Sequence, residues 1–142
     1  MFGKKSAAKN TIDSLIGAST RIEGHVFFQG GLRIDGHVQG NLIAATDQPS
    51  MLVISEHARI DGEIHVAHLV VNGEINGPVF ASELLELQPK ARLTGNVQYK
   101  ALEMHHGAIV DGTLVHIDEV NRPNLKLASQ PIKPLALKAS GG

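Results

Sequence analysis

Aliphatic side chains recur two positions either side of a glycine along most of this chain, with polar residues between them. In Ala58-Arg59-Ile60-Asp61-Gly62-Glu63-Ile64 the order is small or apolar, any, aliphatic, polar, Gly, polar, aliphatic, and the same frame fits residues 20–26, 32–38, 69–75, 91–97 and 108–114. Ile22, Ile34, Ile60, Val71, Leu93 and Val110 thus lie four residues before Val26, Val38, Ile64, Ile75, Val97 and Leu114. That alternation turns aliphatic side chains to one side of a strand and polar ones to the other. The glycine between them fits a bend where a side chain would crowd the interior or need a positive φ.

The frame glycines are Gly24, Gly36, Gly62, Gly73, Gly95 and Gly112, with gaps of 12, 26, 11, 22 and 17 residues. The gaps become regular if the unit is one face of about six residues in a β-helix, whose repeats stack as successive coils. With three faces per coil, the 88 residues from Gly24 to Gly112 make five coil steps averaging 17.6 residues. Gly24, Gly62, Gly95 and Gly112 then stack on one side, and Gly36 and Gly73 on another. Thr46-Asp47-Gln48-Pro49-Ser50 would form a loop absorbing the two extra residues of the longest gap, and Pro78 and Pro89 fall near corners. The expectation is an all-β, three-sided parallel β-helix of about six coils. Its open ends would be the first coil around Ile22, Val26 and Phe28 and the last around Val110, Leu114 and Ile117. Each end presents unpaired strand edges and an aliphatic layer that a second copy could cover.

Composition suits such a core. The 142 residues are 42% hydrophobic but only 4% aromatic, as stacked ladders of Val, Ile and Leu require. Cysteine is absent, which removes disulfides and thiolate metal sites and is compatible with a reducing cytoplasm. No apolar run approaches the roughly 20 residues that span a bilayer, and the N-terminus lacks a signal-peptide core, so a soluble or peripheral protein is expected. The net charge of −1 is unevenly spread: residues 1–20 carry +2, residues 21–119 carry −7 and residues 120–142 carry +4. An acidic body would repel phosphate, which argues against nucleic acid as a partner.

These patterns divide the chain into an N-terminal segment and cap (1–19), a β-helix domain (20–118) and a basic tail (119–142) that holds three of the six prolines and is read as disordered. Met1, Phe2, Lys4 and Lys5 combine apolar side chains with ammonium groups, a pattern that can place Phe2 among lipid tails and the lysines against anionic head groups. One such segment binds weakly, with roughly 1.5–3 kcal/mol from the Phe and about 1 kcal/mol from each Lys. Many copies on one polymer bind firmly. Ile12, Leu15 and Ile16 have helical spacing, and the piece is expected to lie over the open end of the first coil.

Thr11-Ile12-Asp13-Ser14-Leu15-Ile16-Gly17, followed by Thr20-Arg21-Ile22-Glu23-Gly24 and Leu32-Arg33-Ile34-Asp35-Gly36-His37-Val38-Gln39-Gly40, resembles the bactofilins over residues 11–118, and the Met-Phe-x-Lys-Lys start resembles that family's membrane-targeting segment. The resemblance implies a right-handed β-helix that polymerises through its ends, without nucleotide, into nonpolar filaments. It also implies a cytoplasmic position on the inner face of the cell membrane. The partners it implies are further copies of the chain, inner-membrane lipids and proteins of cell-wall synthesis or remodelling, and the role a scaffold for cell shape; no cofactor and no catalysis follow.

The rival is a left-handed β-helix acyltransferase of the hexapeptide type, which uses a histidine as base at a subunit interface. The intervals of 11, 17 and 26 break its strict six-residue phase. Of the eight histidines, His25 and His37 take the outward position after a glycine, and His65 with His68 lacks the Cys or carboxylate framework of a zinc centre. No phosphate-binding loop is present. Deleting residues 1–8 is expected to abolish co-sedimentation with anionic liposomes while polymerisation persists; equal liposome binding by the truncated chain would contradict the membrane assignment.

Overall fold

The computed structural model describes residues 12–117, and every regular element in that span is a strand. In chain order they are β1 (Ser14–Ile16), β2 (Arg21–Glu23), β3 (Val26–Phe28), β4 (Gly30–Ile34), β5 (His37–Gln39), β6 (Leu42–Ala44) and β7 (Ser50–Ile54). There follow β8 (Arg59–Asp61), β9 (Ile64–Val71), β10 (Glu74–Asn76), β11 (Val79–Leu87), β12 (Arg92–Tyr99), β13 (Leu102–Met104) and β14 (Ile109–His116). All pairings are parallel. The longer strands β9, β11, β12 and β14 turn a corner, so each serves two faces.

Three ladders result. The first face stacks β1, β4, β7, the C-terminal half of β9, the C-terminal half of β11 and β13. The second stacks β2, β5, β8, β10 and the N-terminal halves of β12 and β14. The third stacks β3, β6, the N-terminal halves of β9 and β11, and the C-terminal halves of β12 and β14. The fold is a parallel β-solenoid of about six turns. From Ile22 to Val110, one column of the second face, the mean turn is 17.6 residues, as the glycine spacing predicts.

Register makes the core. Ile22, Val38, Ile60, Ile75, Leu93 and Val110 form one inward column, and Val26, Leu42, Ile64, Val79, Val97 and Leu114 another. In the middle four turns these side chains are dry: Val38, Ile60, Ile75, Leu42, Ile64 and Val97 are all at 0% exposure. Each aliphatic layer is sealed by the layers above and below it.

The corners decide where turns can occur. Between the second and third faces, Gly24, Gly40, Gly62, Gly77, Gly95 and Gly112 form one column at φ between 133° and 158°. A Cβ on Gly62 would lie 2.0 Å from the carbonyl oxygen of Gly40. Gly36 and Gly73 belong to a different corner, in a column of small residues with Ala58, Ala91 and Ala108, where backbone bonds such as Glu74 N–H to Ala58 O (3.1 Å) link the turns. The two expected glycine groups are thus real, and Gly40 and Gly77 complete the first of them. They lie in frames that overlap the copies at 32–38 and 69–75, one corner further on. Residues 45–49 form the loop between β6 and β7, and Pro78 and Pro89 sit outside the strands.

One expectation is corrected. Ile12, Leu15 and Ile16 neither form a helix nor cover the end: Ser14–Ile16 is strand β1, paired in register with Leu32–Ile34. Asp13 anchors it, its N–H donating to Gly31 O (2.9 Å) and its carboxylate accepting from Gly31 N–H (3.2 Å). An adjacent strand edge needs partners, and three residues at strand register supply them better than one helical turn.

Gly62→Ala is expected to lower stability by at least about 2 kcal/mol, through positive-φ strain and the carbonyl clash. Gly17→Ala, where no atom lies within 4 Å of the new Cβ, should stay within about 0.5 kcal/mol of the parent. Ile60→Asp should lose the β-sheet circular dichroism signal and Arg59→Ala keep it; urea denaturation followed by circular dichroism reads all four.

Candidate polymerisation surfaces

The inward columns end in solvent. Ile16, Ile22, Val26 and Phe28 in the first turn and Leu102 and Val110 in the last are only partly covered, and Leu114 and Met104, both inward by register, are 40% and 46% exposed. The remaining large apolar side chains that are exposed follow the same rule. Ile12, Leu15 and Phe27 belong to the first turn, and Ile109 and Val115 to the last. Among the described residues, every exposed large hydrophobic side chain therefore sits on the first or last turn. The strands there are also paired on one side only: β1, β2 and β3 below, β13 and β14 above.

The sides of the solenoid differ chemically. The outer surface of the second face is charged, and its carboxylates are compensated. His37 Nε2 lies 2.8 Å from Asp61 Oδ2, Arg59 Nε lies 3.2 Å from the same oxygen, and the Asn76 amide donates to Asp61 Oδ1 (3.0 Å). Partial burial pushes the Asp61 carboxyl up, but the hydrogen bonds from His37, Asn76 and Arg59 outweigh it and hold the group below its usual 3.8. Asp35 is lowered too, first by a hydrogen bond from the Ser55 side chain and then, against an opposing burial effect, by Arg33.

The histidines do not converge. His25 is exposed and accepts from Asn41 N–H (3.1 Å), and His65 pairs with Glu63 and packs on Phe80. His68 sits on the first face with Nε2 unpartnered. Glu86, Glu103 and His105 bring three potential ligand atoms within 4.8 Å of one another on the outer first face, but Glu103 and His105 are exposed and His105 already lies 3.5 Å from Glu86.

Of the residues expected at the open ends, Ile22, Val26, Phe28, Val110 and Leu114 lie on inward columns of the end turns. Ile117 instead is buried at 5% exposure at the corner beyond β14, its N–H bonded to Tyr99 O (2.6 Å). Leu15, Phe27, Met104, Ile109 and Val115 are end residues that the glycine frame does not mark; counting alternate positions outward from the frame would have found Phe27 and Val115. Met1, Phe2, Lys4 and Lys5 lie outside the described residues.

The family model described as Bactofilin, polymer-forming cytoskeletal, matches residues 14–115. Bactofilin BacP of Myxococcus xanthus (strain DK1622) is 24% identical over 107 residues, 75% of this chain and 43% of that protein. The chain therefore spans under half the length of that relative. No solved structure matches. Among the described residues no helix is long and apolar enough to cross a membrane.

The compensated Asp61 makes acid stability testable. A carboxylate whose folded pKa is depressed contributes stability above its unfolded value and loses it as pH falls through the folded one. The parent should therefore be more stable than Asp61→Asn at pH 7, and the gap between their denaturation midpoints should close between about pH 5 and about pH 2. A gap independent of pH would show that the ion-pair cluster on the second face contributes nothing.

Proposed function

The chain belongs to the bactofilin family, which is polymer-forming and cytoskeletal, and on that premise we propose that it polymerises without nucleotide by stacking its two open ends into nonpolar filaments. One observation carries this reading: exposed large hydrophobic side chains are confined to the first and last turns. Stacking would cover them and pair the free edges of β1 to β3 and of β13 and β14 in one step. Each apolar side chain fully buried in this way contributes roughly 1.5–3 kcal/mol, so a joint needs no nucleotide to form.

Like ends meeting like ends give two-fold joints. Neither joint extends beyond a dimer, but the two in alternation make an open filament without polarity. Met1, Phe2, Lys4 and Lys5 then recur along the filament and bind inner-membrane lipid by avidity. The filament so placed, on the cytoplasmic face of the membrane, scaffolds proteins of cell-wall synthesis or remodelling and thereby cell shape. The bactofilin family is a structural family, which supports a scaffold over a β-helix acyltransferase.

Leu114→Arg puts a charge in the last layer alone. The expected product is a folded dimer joined through first turns, read by light scattering with circular dichroism. Folded monomers would indicate head-to-tail joints, and undisturbed filaments would remove the last turn from the interface.

A further inference from the structure

A groove of about 1010 Å³ runs along the corner between the third and first faces. It exists for a sequence reason. The loop of residues 45–49 stands out from the stack on one turn, while the turns beyond it carry small residues, Ala67 and Ser82, at the same corner. The insertion costs the ladder a rung there, and Ser50 repairs it: its Oγ, on a side chain in a residue 4% exposed, accepts the Ala67 N–H at 3.0 Å. Phe80 lines the same groove from the outer surface of the third face.

Two features say what fits this groove. Ile117 lines its far end, so residues 118–142 leave the solenoid directly into it. The charges also match in order. Walking back along the stack from Ile117, the lining meets Lys100, then Glu83, then Glu63 and Asp47. The tail read forward from Ile117 carries Asp118 and Glu119, then Arg122, then Lys126. From Ile117 to the turn that bears the loop is four turns, about 19 Å at the usual strand spacing, which roughly six extended residues cover.

We infer that the groove is the docking site of the chain's own C-terminal segment, residues 118–127, lying across the turns with its acidic start at Lys100 and its basic residues at Glu83, Glu63 and Asp47. Leu125 and Leu127 bring the apolar side chains that follow Arg122 and Pro123 toward the loop. This assignment does not depend on how filaments assemble, since it is made within one chain.

The absence of cysteine makes the test direct. In the full chain, Ala67→Cys with Asn121→Cys places one thiol in the groove and one in the segment, while Thr94→Cys with Asn121→Cys places the first on the outer second face, nearer to Ile117 along the stack. Brief mild oxidation should give an intrachain disulfide, seen as a faster-migrating band without reductant, at least fivefold more in the first pair than in the second. Adding Arg122→Glu and Lys126→Glu should bring the first pair down to the control. Equal yields in the two pairs, a product linking different chains, or a yield unmoved by the charge reversal would each overturn the assignment. Should Ala67→Cys fail to fold by circular dichroism, Ser82→Cys with Val120→Cys asks the same question one turn closer to Ile117.

Discussion

A layer of aliphatic side chains in a solenoid this narrow has only its neighbouring layers to keep it dry. Ile60 is fully buried because Val38 lies on one side of it and Ile75 on the other. Leu114 occupies an equivalent column, but with Val97 on one side and solvent on the other it is 40% exposed. The fold thus has no way of finishing itself in that direction. Cohesion of the middle turns and stickiness of the end turns are one interaction seen at two places. A protein of this kind either carries something over its ends or joins another copy, and in the described residues β1 is itself a rung and not a cover.

The same stacking constraint explains the corner residues. Columns of glycine, or of glycine with alanine, persist through all six turns because each corner atom sits against the carbonyl of the turn before it, as at Gly62 against Gly40. The outward positions are freer, and here the three sides diverge. The second face is a lattice of compensated charge around Asp61, whereas the third carries Phe27, Ile43, Phe80 and Val115 on one outward column. A filament built from such subunits would repeat these side chemistries along its length, giving lipid, tail or partner protein distinct surfaces to meet.

Most of the solenoid could be read from the chain because its period is written in residues the corners cannot vary. Aliphatic, polar, Gly, polar, aliphatic fixes inside, outside and bend at once, which is why Ile60 and Val97 were placed correctly and the mean turn length emerged. Gly40 and Gly77 escaped the frame because two corners only a face apart produce overlapping copies, and a non-overlapping search keeps one of each pair. Residues 12–16 were misread because three strand residues and a helical turn have similar apolar content; only the free edge of β4, a long-range feature, distinguishes them. Ile117 looked like an end residue from its alternation. The corner beyond β14 turns it sideways into the groove, and corner geometry is not written in a period-two pattern.

The central claim, that open ends join to continue the stack, is tested most directly by electron microscopy of filaments assembled from the purified full chain without nucleotide. Six rungs at the usual strand spacing give a subunit about 29 Å long. End-to-end stacking with alternating two-fold joints predicts a filament one solenoid wide, with rungs continuing through the joints and an axial repeat of two subunits, about 58 Å. A repeat of a single subunit would contradict the nonpolar arrangement, and discrete closed particles, or filaments whose rungs do not run along the axis, would contradict end-to-end stacking itself.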